Sequence, residues 1–201
     1  MYIFISFCML ILFQIIIVPR VNYLGKKHKK NNSIYDVGFN ILPNLHKFYY
    51  ISDAIVIVSL FTLFIPGMFK NFIYLMIPIF LVRCITIYST ILPKLDTCDV
   101  KNIFYLCFFG GCYDKIFSGH FAAVFLITLL LFEQSYLSFF LLCFINILNG
   151  LIIISVRNHY TIDVIVSFFV TLCLYQLLHK NKKSIWDNPN IQKKIHKLIT
   201  N

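Results

Sequence analysis

The sequence predicts an all-α membrane protein, a bundle of about six transmembrane helices. Three observations carry that expectation. Of 201 residues, 59% are hydrophobic and 13% charged, against about 45–50% and about 25% in ordinary soluble domains. Mean hydropathy is +0.80, so a soluble chain of this size could not bury its apolar surface. The apolar residues also fall in six long runs separated by polar stretches. Only helices and closed barrels span lipid, and these runs are too continuously apolar for barrel strands, which alternate.

Each run is justified in turn. Residues 2–18, YIFISFCMLILFQIIIV, just reach the bilayer minimum of about 17. They lack the basic start and small-x-small cleavage site of a signal peptide, so a retained first helix is expected. Residues 19–53 are polar, with a basic GKKHKK run and the segment YDVGFNILP. The second span, 54–69, is short and carries Pro66 near its end. The third, 72–92, contains Pro78 and Arg83. A loop follows, whose FYLCFF suits a re-entrant or interfacial piece. Spans four to six are 116–133, 136–156 and 160–178, and 179–201 form a basic tail. No repeat or linker divides the chain, so residues 1–201 are one membrane domain.

Net charge is +10, with most lysines in GKKHKK and the tail. Basic blocks beside spans meet anionic headgroups or fix topology. No soluble basic domain exists to bind nucleic acid. Of seven cysteines, Cys8, Cys84, Cys143 and Cys173 lie in apolar runs as core thiols, while Cys98, Cys107 and Cys112 lie in or beside one loop. Neither CxxC nor Cys/His zinc spacing occurs, so no metal or cofactor is expected. Cys98 and Cys112 are a disulfide if their side is luminal and free thiols if it is cytosolic.

Six spans place both termini on one side and the loops 19–53, 93–119 and 157–159 on the other. His120 and His159 then share one membrane face. Seven Lys/Arg lie on the side of the termini and ten on the opposite side, so the positive-inside count mildly opposes a cytosolic amino terminus.

Ionisable groups at membrane depth are costly and point to function. His159 and Asp163 are four apart, hence on one helix face. A carboxylate there holds one imidazole nitrogen, fixes the tautomer and raises the basicity of the other. His120 approaches from another helix as an acid. The bland alternative is a pair of histidines packing helix to helix. Ser118 is suited to cap a helix beginning at Gly119, whose N-terminus attracts anions; a plain loop–helix junction has the same sequence. Arg83 pairs with Asp163 or a substrate phosphate, or is a structural charge facing a wet cavity. Arg157 is either a phosphate ligand or a snorkelling interfacial residue. Asp114 orients His120 or is a solvated loop acid, and Asp36 lies on the same side.

CYDKIFSGH (112–120) and HYTIDVIVSFF (159–169) resemble the sphingomyelin synthase family, within the phosphatidic acid phosphatase type 2-like superfamily. RCITIYSTILP (83–93) and YDVGFNILP resemble two further family segments. The resemblance implies that His159 is the nucleophile, Asp163 its orienting carboxylate and His120 the acid/base. It implies transfer of a phospho-headgroup, phosphocholine or phosphoethanolamine, from a glycerophospholipid to ceramide, leaving diacylglycerol. Asp114 matches the family's Cys-Gly-Asp acid. The family location is an exoplasmic site in Golgi, endoplasmic reticulum or plasma membrane. Tyr113 replaces the motif's Gly, Lys115 adds a charge and Phe121 replaces a usual Thr. A chain this short is expected to lack an amino-terminal accessory domain.

Two other readings stand beside it. A lipid phosphate phosphatase would use water as acceptor. That branch carries Arg-Pro and an Arg six residues before the second His; this chain has no Arg-Pro, and position 153 is Ile. A non-catalytic lipid-binding membrane protein would not need all three polar residues.

Overall fold

In a computed structural model, residues 2–27, 34–95 and 111–186 are described, with backbone alone for 2–14 and 179–186. Among the described residues there are helices and turns but no strand. The α-helices are α1 (Tyr2–Lys27), α2 (Val37–Ile41), α3 (Tyr50–Leu60), α4 (Met68–Ser89), α5 (Gly119–Glu133), α6 (Phe139–Ser155) and α7 (Thr161–Trp186). One 3-10 turn, His46–Phe48, leads into α3 and another, Phe61–Phe64, continues it.

The boundaries follow local chemistry and correct several expected ones. Pro66 and Gly67 interrupt the apolar run after the second 3-10 turn, with Gly67 left-handed at φ 82°. The second span therefore covers His46–Phe64 rather than 54–69, and Met68 already belongs to α4. Helix α4 starts four residues before the expected 72 and ends at Ser89. Ser118 Oγ accepts from Phe121 N at 3.3 Å, so α5 starts at Gly119 and not at 116. Ser138 Oγ does the same for Leu141 N at 3.3 Å, which moves the start of α6 from 136 to Phe139. Helix α1 runs through Pro19 to Lys27, beyond the expected 18, and α7 runs past 178 to Trp186.

Among the described residues, three helical stretches are long and apolar enough to cross a bilayer: His46–Phe64, Met68–Ser89 and Thr161–Leu178. Gly119–Glu133 and Phe139–Ser155 are apolar but shorter. The shorter two owe their length to where they sit. Helix α5 is buried from Phe121 through Leu130, apolar on every side as a central helix must be. It packs on α3, α4, α6 and α7. Ala122 and Ala123 let α4 approach, where Met68, Phe72, Leu75 and Ile79 meet Leu126 and Leu130. On its other side Phe121, Phe125 and Leu129 meet Leu142, Ile153, Ile154 and Val164. The outward faces stay apolar, with Phe61, Phe64, Ile85, Phe140 and Phe169 exposed; these are surfaces for lipid.

Helix α1 packs along α4 and reaches the loop before α5 through one side chain. Buried Asn22 donates to Val18 O at 2.9 Å and accepts from Cys112 N at 3.0 Å and Tyr113 N at 3.4 Å. Gly111 has to be glycine here, because a Cβ would collide with the Asn22 amide. Asn22→Leu would strand two buried N–H donors, each worth about 1–3 kcal/mol when unsatisfied. It is expected to lower stability by about 2–4 kcal/mol, read as a fall in unfolding midpoint in detergent, with no loss of helix by circular dichroism.

Candidate active site

The ends of the helices that succeed one another through the bundle bring the polar residues to one level. The starts of α3, α5 and α7 and the ends of α4 and α6 meet there. Asp163, fully buried in the first turn of α7, is the junction. Its Oδ2 meets His159 Nδ1 at 3.1 Å and accepts from Tyr160 N at 2.9 Å; its Oδ1 accepts from Ile116 N at 2.8 Å. Its carbonyl accepts from Ser167 Oγ at 2.6 Å and Ser118 N at 3.3 Å. The i, i+4 spacing read from the sequence therefore acts as expected, through the turn before α7.

His159 lies in the turn between α6 and α7, 5% exposed. Burial pushes its pKa down to about 4, although the Asp163 bond opposes the shift. The ring is therefore neutral at physiological pH. With Nδ1 on Asp163, Nε2 carries the lone pair.

His120, in the first turn of α5, lies with its ring centroid 6.3 Å from that of His159. Its Nε2 meets Asp53 Oδ1 at 2.6 Å. Asp53 is a site residue that the sequence reading missed, because it stood one residue before the expected start of the second span. The signal was present: an acid in the first turn of an apolar helix. Each histidine thus has its own carboxylate.

Arg83 and Asp114 pair with each other. Arg83 Nη2 meets Asp114 Oδ2 at 2.9 Å, both side chains buried, and Asp114 Oδ1 accepts from Gly111 N at 2.8 Å. Asp114 therefore holds Arg83 and its own loop rather than His120. Arg83 Nε and Nη1 are buried without partners. They lie over the α5 N-terminus, where a Cβ on Gly119 would come within 3.4 Å of Nε. Lys115 is buried as well, with Nζ donating to Gly111 O at 3.0 Å. Burial lowers its pKa while the carboxylates of Asp114 and Asp163 oppose the shift.

Arg157 does not point at the imidazoles. It takes a left-handed φ of 60° and donates through Nη2 to Phe39 O at 2.8 Å and Leu42 O at 3.2 Å, stacked on the Phe39 ring at 4.3 Å. Its Nη1 is buried without a partner. Asp36 caps α2 through Phe39 N at 3.0 Å and accepts from Thr161 N at 2.8 Å and Thr161 Oγ1 at 2.6 Å. Gly38 sits so close that a Cβ would strike Thr161 Oγ1. Segment 36–45 is thus strapped across the turn that carries His159. Cys112 is disulfide-bonded; Cys98, the partner considered above, lies outside the described residues, as does FYLCFF.

Two imidazoles facing a common space, each backed by a carboxylate, suit attack at phosphorus with proton transfer to a departing oxygen. The unpartnered guanidinium nitrogens and a helix N-terminus beside them suit phosphate oxygens. Comparison with known proteins points the same way. Residues 111–180 match the family model described as PAP2 superfamily C-terminal. Phosphatidylcholine:ceramide cholinephosphotransferase 2 of Rattus norvegicus is 31% identical over 144 residues, covering 58% of this chain and 40% of its own length. The Homo sapiens protein of the same name is 32% identical over the same extent. The chain spans about two-fifths of the length of these relatives. The matched segment carries both histidines and Asp163, and over it the chain is similar to the PAP2 superfamily C-terminal family and to these ceramide cholinephosphotransferases.

Proposed function

We propose that this chain moves a phospho-headgroup from a glycerophospholipid to ceramide through a phosphohistidine at His159. The observation that carries the reading is the pair of carboxylate-backed imidazoles 6.3 Å apart, one of them buried and neutral. His159 Nε2 attacks the phosphorus of the donor as the bond from phosphorus to the diacylglycerol oxygen breaks. His120 gives that oxygen its proton. The ceramide hydroxyl then attacks the same phosphorus, returns a proton to His120 and releases His159. Arg83, through Nε and Nη1, holds the phosphate oxygens and offsets the charge that builds on them. Asp114 fixes Arg83, and Arg157 fixes the strap beneath His159.

The names of the relatives make phosphocholine the first headgroup to test, with phosphoethanolamine second. The disulfide at Cys112 favours an oxidising, exoplasmic location for this end of the bundle, in Golgi, endoplasmic reticulum or plasma membrane.

Protein reconstituted with head-labelled phosphatidylcholine and ceramide should move label to ceramide. Release of label to water would mean a phosphatase, and label left on the donor would refute both chemistries. His159→Ala should remove turnover altogether; transfer at the wild-type rate in that variant rejects the nucleophile.

Asp53→Asn keeps the shape of the acid's partner but not its charge. It is expected to lower kcat on the order of 10²-fold, with KM for the donor within a few-fold of wild type. An unchanged kcat would show that Asp53 serves the fold alone.

The attacking ring must be neutral, and a histidine with a lowered pKa stays neutral until pH falls through that value. The acid limb of kcat/KM is therefore expected well below the usual imidazole range, approaching about 4. Loss of half the activity already near pH 6.5 would contradict the assignment.

A further inference from the structure

The segment strapped across the His159 turn has a second side, and that side is apolar. On its inner side, Asp36 accepts from Thr161 N and Oγ1 at 2.8 and 2.6 Å, and the carbonyls of Phe39 and Leu42 accept from Arg157. On its outer side, Tyr35, Val37 and Ile41 are 80%, 56% and 75% exposed, with exposed Ile34 beside them. Contiguous apolar surface of this kind marks a place where something other than water is met.

Three observations say what is met. The first is position. The strap leads directly into His46–Phe64, a stretch long and apolar enough to cross a bilayer, on which Ile57, Val58 and Phe61 carry the exposed apolar surface onward. Residues just ahead of a span lie where it leaves the hydrocarbon, among the headgroups. The second is side-chain type. Exposed tyrosines gather at this end of the bundle: Tyr23 on α1, Tyr35 on the strap, Tyr49 and Tyr50 at the start of α3, and Tyr88 near the end of α4. At the opposite end the exposed rings are Phe64, Phe132 and Phe139, with Tyr136. A ring with a hydroxyl at its wet edge suits the membrane–water interface, and a plain ring suits the interior. The tyrosines also form a band rather than a patch, because α1 packs chiefly on α4 whereas α3 packs on α5 and α6. A lipid surface surrounds a bundle in that way; a protein partner covers one side. The third is charge. Among the described residues at this end, Asp36, Asp114 and Asp163 are buried and Asp53 is half-buried, while Arg20, Lys47 and Lys94 are exposed. Arg20 lies over the Tyr23 ring at 5.7 Å. The exposed charge there is positive, complementary to the phosphates of lipid headgroups.

We propose that the outer side of the strap, from Ile34 to Ile41, lies in the headgroup–acyl boundary of the leaflet and is covered by phospholipid. Because its inner side is tied to Arg157 and Thr161, on either side of His159, the seat of the strap in lipid fixes the depth of the turn that carries this histidine. The proposal rests on the bundle's being in a membrane and not on the reaction assigned to the site.

The chain has one tryptophan, Trp186. In a Trp186→Phe background, Ile41→Trp and Val37→Trp place a reporter on the strap, and Ile57→Trp places one at mid-span; all three positions are exposed, so the core is left alone. The full chain is reconstituted in vesicles of phosphatidylcholine brominated either near the glycerol end of its chains or at their methyl ends, and iodide is added to the water. The strap reporters should be quenched about twofold more by the shallow bromine than by the deep, the mid-span reporter in the opposite order, and iodide should quench both weakly. Strong quenching of the strap by iodide with none by bromine would place it in water. Quenching by neither would mean that protein covers it, either another segment of this chain or a second copy. Stronger quenching by the deep bromine would place it at the depth of a span. Each of these three results overturns the proposal.

A second measurement leaves the sequence untouched. Phosphatidylcholine with a diazirine beside the glycerol is photolysed in vesicles holding the wild-type chain, and the adducts are mapped. They should fall on residues 34–41 and on Tyr49 and Tyr50, and a diazirine at the chain end should move them to Ile57 and Phe61. Adducts absent from 34–41 with the shallow probe, while the spans are labelled by the deep one, overturn the proposal. Neither readout needs turnover, so a chain inactive in transfer still tests where the strap lies.

Discussion

The buried carboxylate of Asp163 holds the site together. A charge with no exposed surface is tolerated only when its lone pairs are met. Here they are met by His159 Nδ1 and by the N–H groups of Tyr160 and Ile116. Those partners come from two places far apart in the chain. One is the turn that starts α7; the other is the loop that delivers α5. Solvating one acid therefore fixes the position of His159 relative to the first turn of α5, where His120 lies. Ile116 reaches the acid with φ at 75°, a conformation that a β-branched residue adopts at a cost. That strain persists because the bond to Asp163 and the Ser118–Ser167 contact at 2.7 Å over-determine the loop.

Around this junction every described acid has a structural or catalytic partner, and the two buried cations do not balance them in the same way. Asp53 backs His120, Asp36 caps α2 and the start of α7, and Asp114 holds Arg83. Arg83 keeps two buried donors unmet, and Arg157 Nη1 is a third. An unpaired buried guanidinium nitrogen costs free energy in the empty protein. On the proposed reading, a substrate phosphate at the α5 N-terminus would recover that cost. The strap 36–45 serves the same end from below. Arg157 and Asp36 tie it to the α6–α7 turn, and Leu45 N donates to Ser155 O at 2.8 Å.

Much of this was legible in the sequence, and the failures share a cause. The His159–Asp163 spacing needs only the helix period. The co-location of His120 and His159 needs only the parity of apolar runs, and both follow from local rules. Asp53 was missed because span edges were set by where hydropathy rises, whereas the helix begins a turn earlier at Tyr50. An acid at that edge looks like a loop residue until the partner helix is in place. Arg157 kept both of its roles open because its direction depends on a left-handed φ that no pattern announces. Asp114 reads equally as an orienter of His120 or a solvated loop acid, yet its partner comes from α4, thirty-one positions away.

The shortness of α5 bears on where the paired histidines sit. Fifteen residues make ~22 Å of helix, less than the hydrocarbon core of about 30 Å. A helix in contact with lipid would expose a polar end at that length. Helix α5 escapes because α3, α4, α6 and α7 enclose it and the loops fold down to satisfy its first turn. His120 at its start thereby lies level with the starts of α3 and α7, where Asp53 and His159 stand. An α5 lengthened at its first turn would carry His120 away from Asp53, so the length of this helix and the pairing of its histidine are one constraint.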